Sequence, residues 1–140
     1  MRPLQRWRSE NREEMSAPVV DFGKFTFEES QYKRGEKVWM ATTLLRAVEN
    51  QGLKTFDYPL AAFNLLNLGF RVENTDDFIW QMKRTLNADY NYPVILDDYG
   101  QVADGFHRIC HAILDGKTTI KAYRLQSMPS YDFLEPEKKD

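Results

Sequence analysis

Apolar positions recur along this chain with two different periods, and the switching between them divides it into helices and short strands. Val38, Ala41, Leu44, Leu45 and Val48 fall three or four positions apart. That spacing predicts a helix over 36–50 with one apolar stripe, stopped by Gly52. Phe78, Ile79, Met82 and Leu86 repeat the spacing and predict a second helix over 75–86, with these four side chains buried. Asn74 or Thr75 can cap its start, and Asp76 and Asp77 complement the helix dipole. A third helix is expected over 105–115. Phe106, Ile109, Cys110 and Ile113 form its buried face, Asp104 is its natural N-cap and Gly116 closes it.

The strand-like runs lie between and beyond these helices. Residues 19–27 (VVDFGKFTF) contain a short β-like stretch. Residues 57–66 (DYPLAAFNLL) read as a strand running into a loop. Two apolar runs, 92–96 (YPVIL) and 101–103 (QVA), flank Asp97-Asp98-Tyr99-Gly100, whose glycine suits a tight turn, so the unit reads as a hairpin. Residues 118–125 (TTIKAYRL) alternate as a last strand. The expected fold class is therefore α+β, a small mixed β-sheet packed by helices over 56–128. A flexible tail (1–18) and a helical extension (19–55) precede it, and a polar tail (129–140) follows. Met15 offers an alternative start, which would make residues 1–14 an upstream extension.

Composition narrows the possible functions. The 140 residues suffice for one domain with a real core, and 42% apolar with 29% charged residues suits a globular chain. A net charge of -2 argues against a dedicated duplex-DNA surface. Cys110 is the only cysteine, which excludes an intramolecular disulfide and fits a reducing cytoplasmic setting. No apolar run approaches the ~20 residues that span a bilayer, so no membrane association is expected.

The chemistry concentrates at Asp104-Gly105-Phe106-His107-Arg108. His107 and Arg108 lie off the buried stripe in the first helical turn, and helical side chains lean toward the N-terminus. There, unpaired N–H groups and the positive dipole end favour an anion, to which an arginine adds a two-pronged donor. Simpler readings cover the other candidates. Asp97 and Asp98 read as turn-forming acids, and Cys110 as a small core residue. Asp76 and Asp77 read as capping charge. His107 and His111 have metal-binding spacing but no evident third ligand, so no metal site is expected. Trp39, Trp80 and Tyr92 offer stacking surfaces or core packing.

The run PVILDDYGQVADGFHRICHAILDGKTTIKAYRL resembles the motif region of the ParB/sulfiredoxin superfamily: a hairpin, a G-x-x-R turn opening a helix, and a glycine link into the last strand. The resemblance implies that Gly105, His107 and Arg108 contact the phosphates of a nucleotide, ATP, ADP or CTP, with Mg²⁺. It also implies that Asp104 either caps the helix or sits near the metal. Several positions depart from the family pattern. Phe106 stands where the kinase-like members carry a histidine and sulfiredoxins their catalytic cysteine, so sulfiredoxin chemistry is not expected. The loop Asn64-Leu65-Leu66-Asn67-Leu68-Gly69 lacks the acid of the kinase-like members, leaving Glu73 as the nearest replacement. The chain ends about fifteen residues after its last strand, without a helix-turn-helix, so chromosome-type partition is not expected.

Two functions follow as expectations. One is a nucleotide-dependent phosphotransferase or nucleoside triphosphatase, with Glu73 and Asp104 as candidate catalytic acids and Gly105, His107 and Arg108 holding the phosphates. The other is a non-catalytic interaction or nucleic-acid-associated module on the same fold. A turn closed by Phe106, or an Arg108 that pairs inward, distinguishes the second from the first.

Overall fold

The computed structural model describes residues 17–22, 30–66 and 69–137. Among these, strands β1 (Gln31–Arg34) and β2 (Lys37–Met40) form a hairpin that runs directly into helix α1 (Ala41–Asn50). Strand β3 (Phe56–Pro59) and a 3₁₀ turn (Leu60–Ala62) follow, then helix α2 (Thr75–Asn87). Strands β4 (Val94–Leu96) and β5 (Val102–Asp104) make the second hairpin, followed by helix α3 (Phe106–Leu114), strand β6 (Thr119–Arg124) and strand β7 (Phe133–Leu134). The fold class is α+β, as expected, with one three-stranded sheet (β1-β2-β7) and one four-stranded sheet (β3-β6-β4-β5). The larger sheet is mixed: β4 lies parallel to β6, and the β3–β6 and β4–β5 pairs are antiparallel.

Strand β4 explains how one chain of this length covers its sheet on both faces. Its three residues are all buried, and successive side chains point to opposite faces. Val94 and Leu96 pack with Leu60, Ile109, Ala112, Ile120 and Ala122, so α3 covers that face. Ile95 points the other way, into a cluster with Trp39, Leu44, Ala47, Val48 and Leu125. The continuous apolar run is thus the mark of a strand covered on both sides.

Several expectations change here. The helix expected over 36–50 begins only at Ala41, and 37–40 is strand. Gly35, with φ +60°, turns the chain between β1 and β2, and the adjacent Val38 and Trp39 are both buried. The segment 19–55, expected as a helical extension, contributes a hairpin and a helix to the shared core, while 23–29 lies outside the described residues. Trp39 is a core residue whose indole N–H donates to the Pro129 carbonyl at 2.7 Å, so it offers no stacking surface. The segment 129–134, expected as part of a tail, supplies β7, which pairs with β2 at Lys37↔Leu134 and Val38↔Phe133. Asp132 also caps α1 from afar, accepting from the Met40 N–H at 2.7 Å and the Thr43 hydroxyl at 2.9 Å.

Helix α2 is placed correctly but turned. Asn74 caps it, accepting from the Asp77 N–H at 2.8 Å, while Asp77 accepts in return from the Glu73 N–H at 3.1 Å. Phe78, Ile79, Met82 and Leu86, expected to be buried, are exposed. The face turned to α3 carries Gln81 and the buried Thr85 instead, because hydrogen bonds to the histidines of α3 fix this contact. No described helix is long and apolar enough to cross a membrane.

Candidate functional site: the cleft at the start of α3

The turn from β5 into α3 is set by Gly105. Its φ of +112° and ψ of 22° lie in the left-handed region, and it occupies the N-cap position. A Cβ there would come within 2.5 Å of Val94 Cγ1, so the sheet approaches the turn too closely for any side chain. Asp104, expected as the cap, is the last residue of β5 and makes no capping bond. Its Oδ2 accepts instead from Arg108 Nη2 at 2.8 Å. On α3, Ile109 and Ala112 are fully buried, whereas Phe106, Cys110 and Ile113 are half-buried. The stripe centres on Ile109 and Ala112 because these two face the small side chains and β-branched residues of β4 and β6. Burial pushes the Cys110 thiol up, away from the thiolate that a nucleophile requires.

A cleft of about 960 Å³ opens between α2 and this turn. It brings Asp104, Gly105, His107 and Arg108 together, along with Trp80, Lys83 and Arg84 of α2 and Tyr92 of the preceding loop. Glu73 is not among its lining residues; its carboxylate pairs with Arg71 at 2.6 Å on the exposed surface. These four sequence neighbours therefore line one cleft, and Glu73 lies outside it.

Arg108 does not stand free. Besides Asp104, it donates from Nη1 to the Pro93 carbonyl at 2.7 Å, and only 20% of its side chain is exposed. Its i,i+4 relation to Asp104 and the nearby carbonyl turn it into a clasp between α3, β5 and the loop before β4. His107 is likewise engaged: its Nε2 lies 2.6 Å from Gln81 Oε1 and its ring stacks on Phe70 at 4.7 Å between centroids. Burial, and then the positive charge of Arg84, push its pKa from 6.5 down to about 4. The imidazole is neutral at pH 7 and donates to Gln81. His111 turns elsewhere, its Nδ1 2.7 Å from the Ala88 carbonyl, so the two histidines share no metal position. Phe106 packs edge-on against Phe63 at 5.5 Å and closes the side of the turn.

The depressed His107 pKa gives a pH dependence with a definite sign. The unfolded chain binds a proton at this residue near pH 6.5, and the folded chain only near pH 4. The stability gained from keeping His107 neutral is fully present above about pH 6.5 and is lost as pH falls toward 4. Urea unfolding should show a loss on the order of 2 kcal/mol across that window, and His107→Asn should flatten it. An unchanged slope in the variant would assign the acid sensitivity to other groups.

Arg84 is what sequence reasoning missed. It is a half-buried arginine in the last turn of α2, and its charge reaches His107. The structure gives it no acidic partner among the described residues. Only helical phase, with Trp80, Arg84 and Asn87 falling on one side of α2, could have signalled that it meets the α3 turn. Comparison of the chain with models of known protein families, with curated proteins and with solved structures gives no match.

Proposed function

We propose that this chain is a ligand-binding domain on a ParB/sulfiredoxin-like fold that takes a nucleotide phosphate in the α2–α3 cleft. The observation that carries the reading is the charge of the cleft: Arg84 and Lys83 face the N-terminus of α3, and Arg84 has no carboxylate partner among the described residues. The phosphate would accept from the Arg84 fork and from the N–H groups of the first turn of α3, where the dipole is positive. Gly105 lets the turn that presents these N–H groups sit against Val94 of the sheet. Arg108 and His107 hold the turn in shape through Asp104 and Gln81. ATP, ADP and CTP, with Mg²⁺ bridging their phosphates, are the ligands to test. The single, half-buried Cys110 supports a cytoplasmic setting.

The inward pairing of Arg108 favours binding without turnover. Asp104 is the one carboxylate at the turn itself, and its Oδ2 is already engaged by Arg108. Its presence in the cleft nonetheless supports a second reading, phosphoryl transfer with Asp104 as the acid–base group. The two readings separate on turnover: binding alone leaves the nucleotide intact, whereas catalysis releases phosphate or a phosphorylated acceptor and is lost in Asp104→Asn.

Arg84→Ala should weaken nucleotide binding by about 1.5–3 kcal/mol, the range for a hydrogen bond to a charged group. The melting temperature without ligand should change little. Calorimetric titration of both proteins with each nucleotide, with and without Mg²⁺, checks this. Absence of binding to the wild type at millimolar nucleotide, or equal binding by the variant, would overturn the proposal.

A further inference from the structure

Phe106 bounds the α2–α3 cleft on one side. A second cleft, of about 820 Å³, lies on the other side of that ring, between the β1–β2 hairpin, the β4–β5 turn and the 3₁₀ segment. Gln31, Gly69, Ala103 and Phe106 line both clefts. The two thus adjoin across a shared wall, and a ligand crossing it would run along one trough from the cations of α2 to the tip of the β4–β5 turn.

Each end of the trough carries the same pair of features. At the first end, Tyr92 is 65% exposed beside Lys83 and Arg84. At the second, Tyr99 is 72% exposed beside Lys33 and Arg34. The Tyr99 ring is held by the Arg34 guanidinium, 4.6 Å from its centroid, and Arg34 is itself anchored to Asp97 at 2.8 Å and Asp98 at 2.6 Å. An exposed aromatic ring fixed by a packed cation is a platform of set orientation. The lining residues include five cationic side chains, Lys33, Arg34, Lys83, Arg84 and Arg108, against two carboxylates, Asp89 and Asp104. Arg108 and Arg34 are matched by acids, leaving Lys33, Lys83 and Arg84 against Asp89, a positive surplus of two. The whole chain is at -2, so this positive trough runs against the overall charge.

Alternating aromatic platforms and cations along a groove suit a polyanion with flat bases. A mononucleotide would engage one end only. We propose that the trough binds single-stranded nucleic acid, with one phosphate in the α2–α3 cleft and a base stacked on Tyr99 at the far end. This proposal rests on the phosphate site described above and adds the second cleft to it. Stacking on tyrosine tolerates any base, and the backbone charge supplies the remaining affinity, so binding should be sequence-tolerant and salt-dependent.

Fluorescence anisotropy of a labelled oligothymidylate of about eight nucleotides, a length within the usual range for such grooves, tests this on the full chain. ATP titrations on the same proteins serve as the reference for the first cleft. The strand should bind at least about tenfold tighter than ATP, and its affinity should fall as salt rises. Tyr99→Ala should weaken strand binding about tenfold and leave ATP binding unchanged. Lys33→Glu should do the same without touching an aromatic ring. Arg84→Ala should weaken both ligands. If the strand binds no tighter than ATP, or Tyr99→Ala and Lys33→Glu leave strand affinity intact, the trough proposal fails while the phosphate site stands. If neither ligand binds, the phosphate site fails as well.

Discussion

Asp97→Ala is expected to destabilise the fold by about 3–5 kcal/mol, because three hydrogen-bond donors lose a buried acceptor at roughly 1–3 kcal/mol each. The Asp97 side chain is completely buried and its oxygens accept four hydrogen bonds. The Tyr32 hydroxyl donates at 2.6 Å and Arg34 Nη2 at 2.8 Å. The Tyr99 and Gln101 N–H groups donate at 2.9 Å each. Alanine would take this acceptor from the Tyr32 hydroxyl and from the Tyr99 and Gln101 N–H groups, while Arg34 would keep Asp98 at 2.6 Å. Asp97→Asn keeps one acceptor oxygen but sets its NH2 against two of the four donors, so it should cost nearly as much as alanine. Acid should reveal the same network. Burial by itself pushes the carboxyl up, but the bonds from Tyr32, the Gln101 N–H, Arg34 and the Tyr99 N–H together pull it below its ordinary value. A carboxylate lowered in this way contributes fully above about pH 4 and loses its contribution as pH falls through the folded value. Urea unfolding of wild type and both variants across this range checks the claim. An alanine variant within about 1 kcal/mol of wild type would show that the network is dispensable.

Gly105→Ala should be of comparable size, about 2–5 kcal/mol, for a different reason. A left-handed backbone costs a non-glycine residue about 1–2 kcal/mol. The added Cβ would also lie 2.5 Å from Val94 Cγ1 and 2.9 Å from Val94 Cβ, and Val94 is completely buried. Relieving that overlap means shifting β4 or α3 within a packed core, at about 1–3 kcal/mol. Val94→Ala removes Cγ1 but leaves Cβ at 2.9 Å, so the double variant should lose less stability than the sum of the two single variants. Thermal melts of the single and double variants decide this. A single variant as stable as wild type would mean that the turn can relax to negative φ.

What could be read from the sequence differs from element to element. The hairpin around Gly100, the helix at Phe106 and the strand after Thr118 were legible because turn chemistry and periodicity agreed there. The start of α1 was not, since Val38 fits a helical stripe as well as a strand, and only pairing with β1 and β7 decides between them. The α2 stripe was read as buried because periodicity reports amphipathicity; what covers the apolar face depends on tertiary packing that no local pattern encodes. At the site, Asp104, Gly105, His107 and Arg108 were found together because they are neighbours in sequence. Arg84 and Tyr99 were missed because they reach the trough from elements far away in the chain. Asp97 was read as a turn former, which it is, accepting from N–H groups two and four residues on. Its second role, tying the β4–β5 turn to β1, required knowing that the first hairpin folds back over it.

The distant cap on α1 bears on how the chain acquires its structure. A helix normally carries its own start signal, so that its first turn can form while the rest of the chain is still a coil. Here the Ala41 N–H meets the nearby Ser30 carbonyl at 2.9 Å, but Asp132, which accepts from the residue before the helix, lies 92 residues from Met40, and the Trp39 indole finds its carbonyl 90 residues away. Closing a loop of that length costs conformational entropy before any bond rewards it, and such contacts slow folding. The first turn of α1, the β2–β7 ladder and the segment carrying Asp132 are therefore expected to gain order together and late. They should also exchange their amide protons as a single unit, however far apart they stand in the chain.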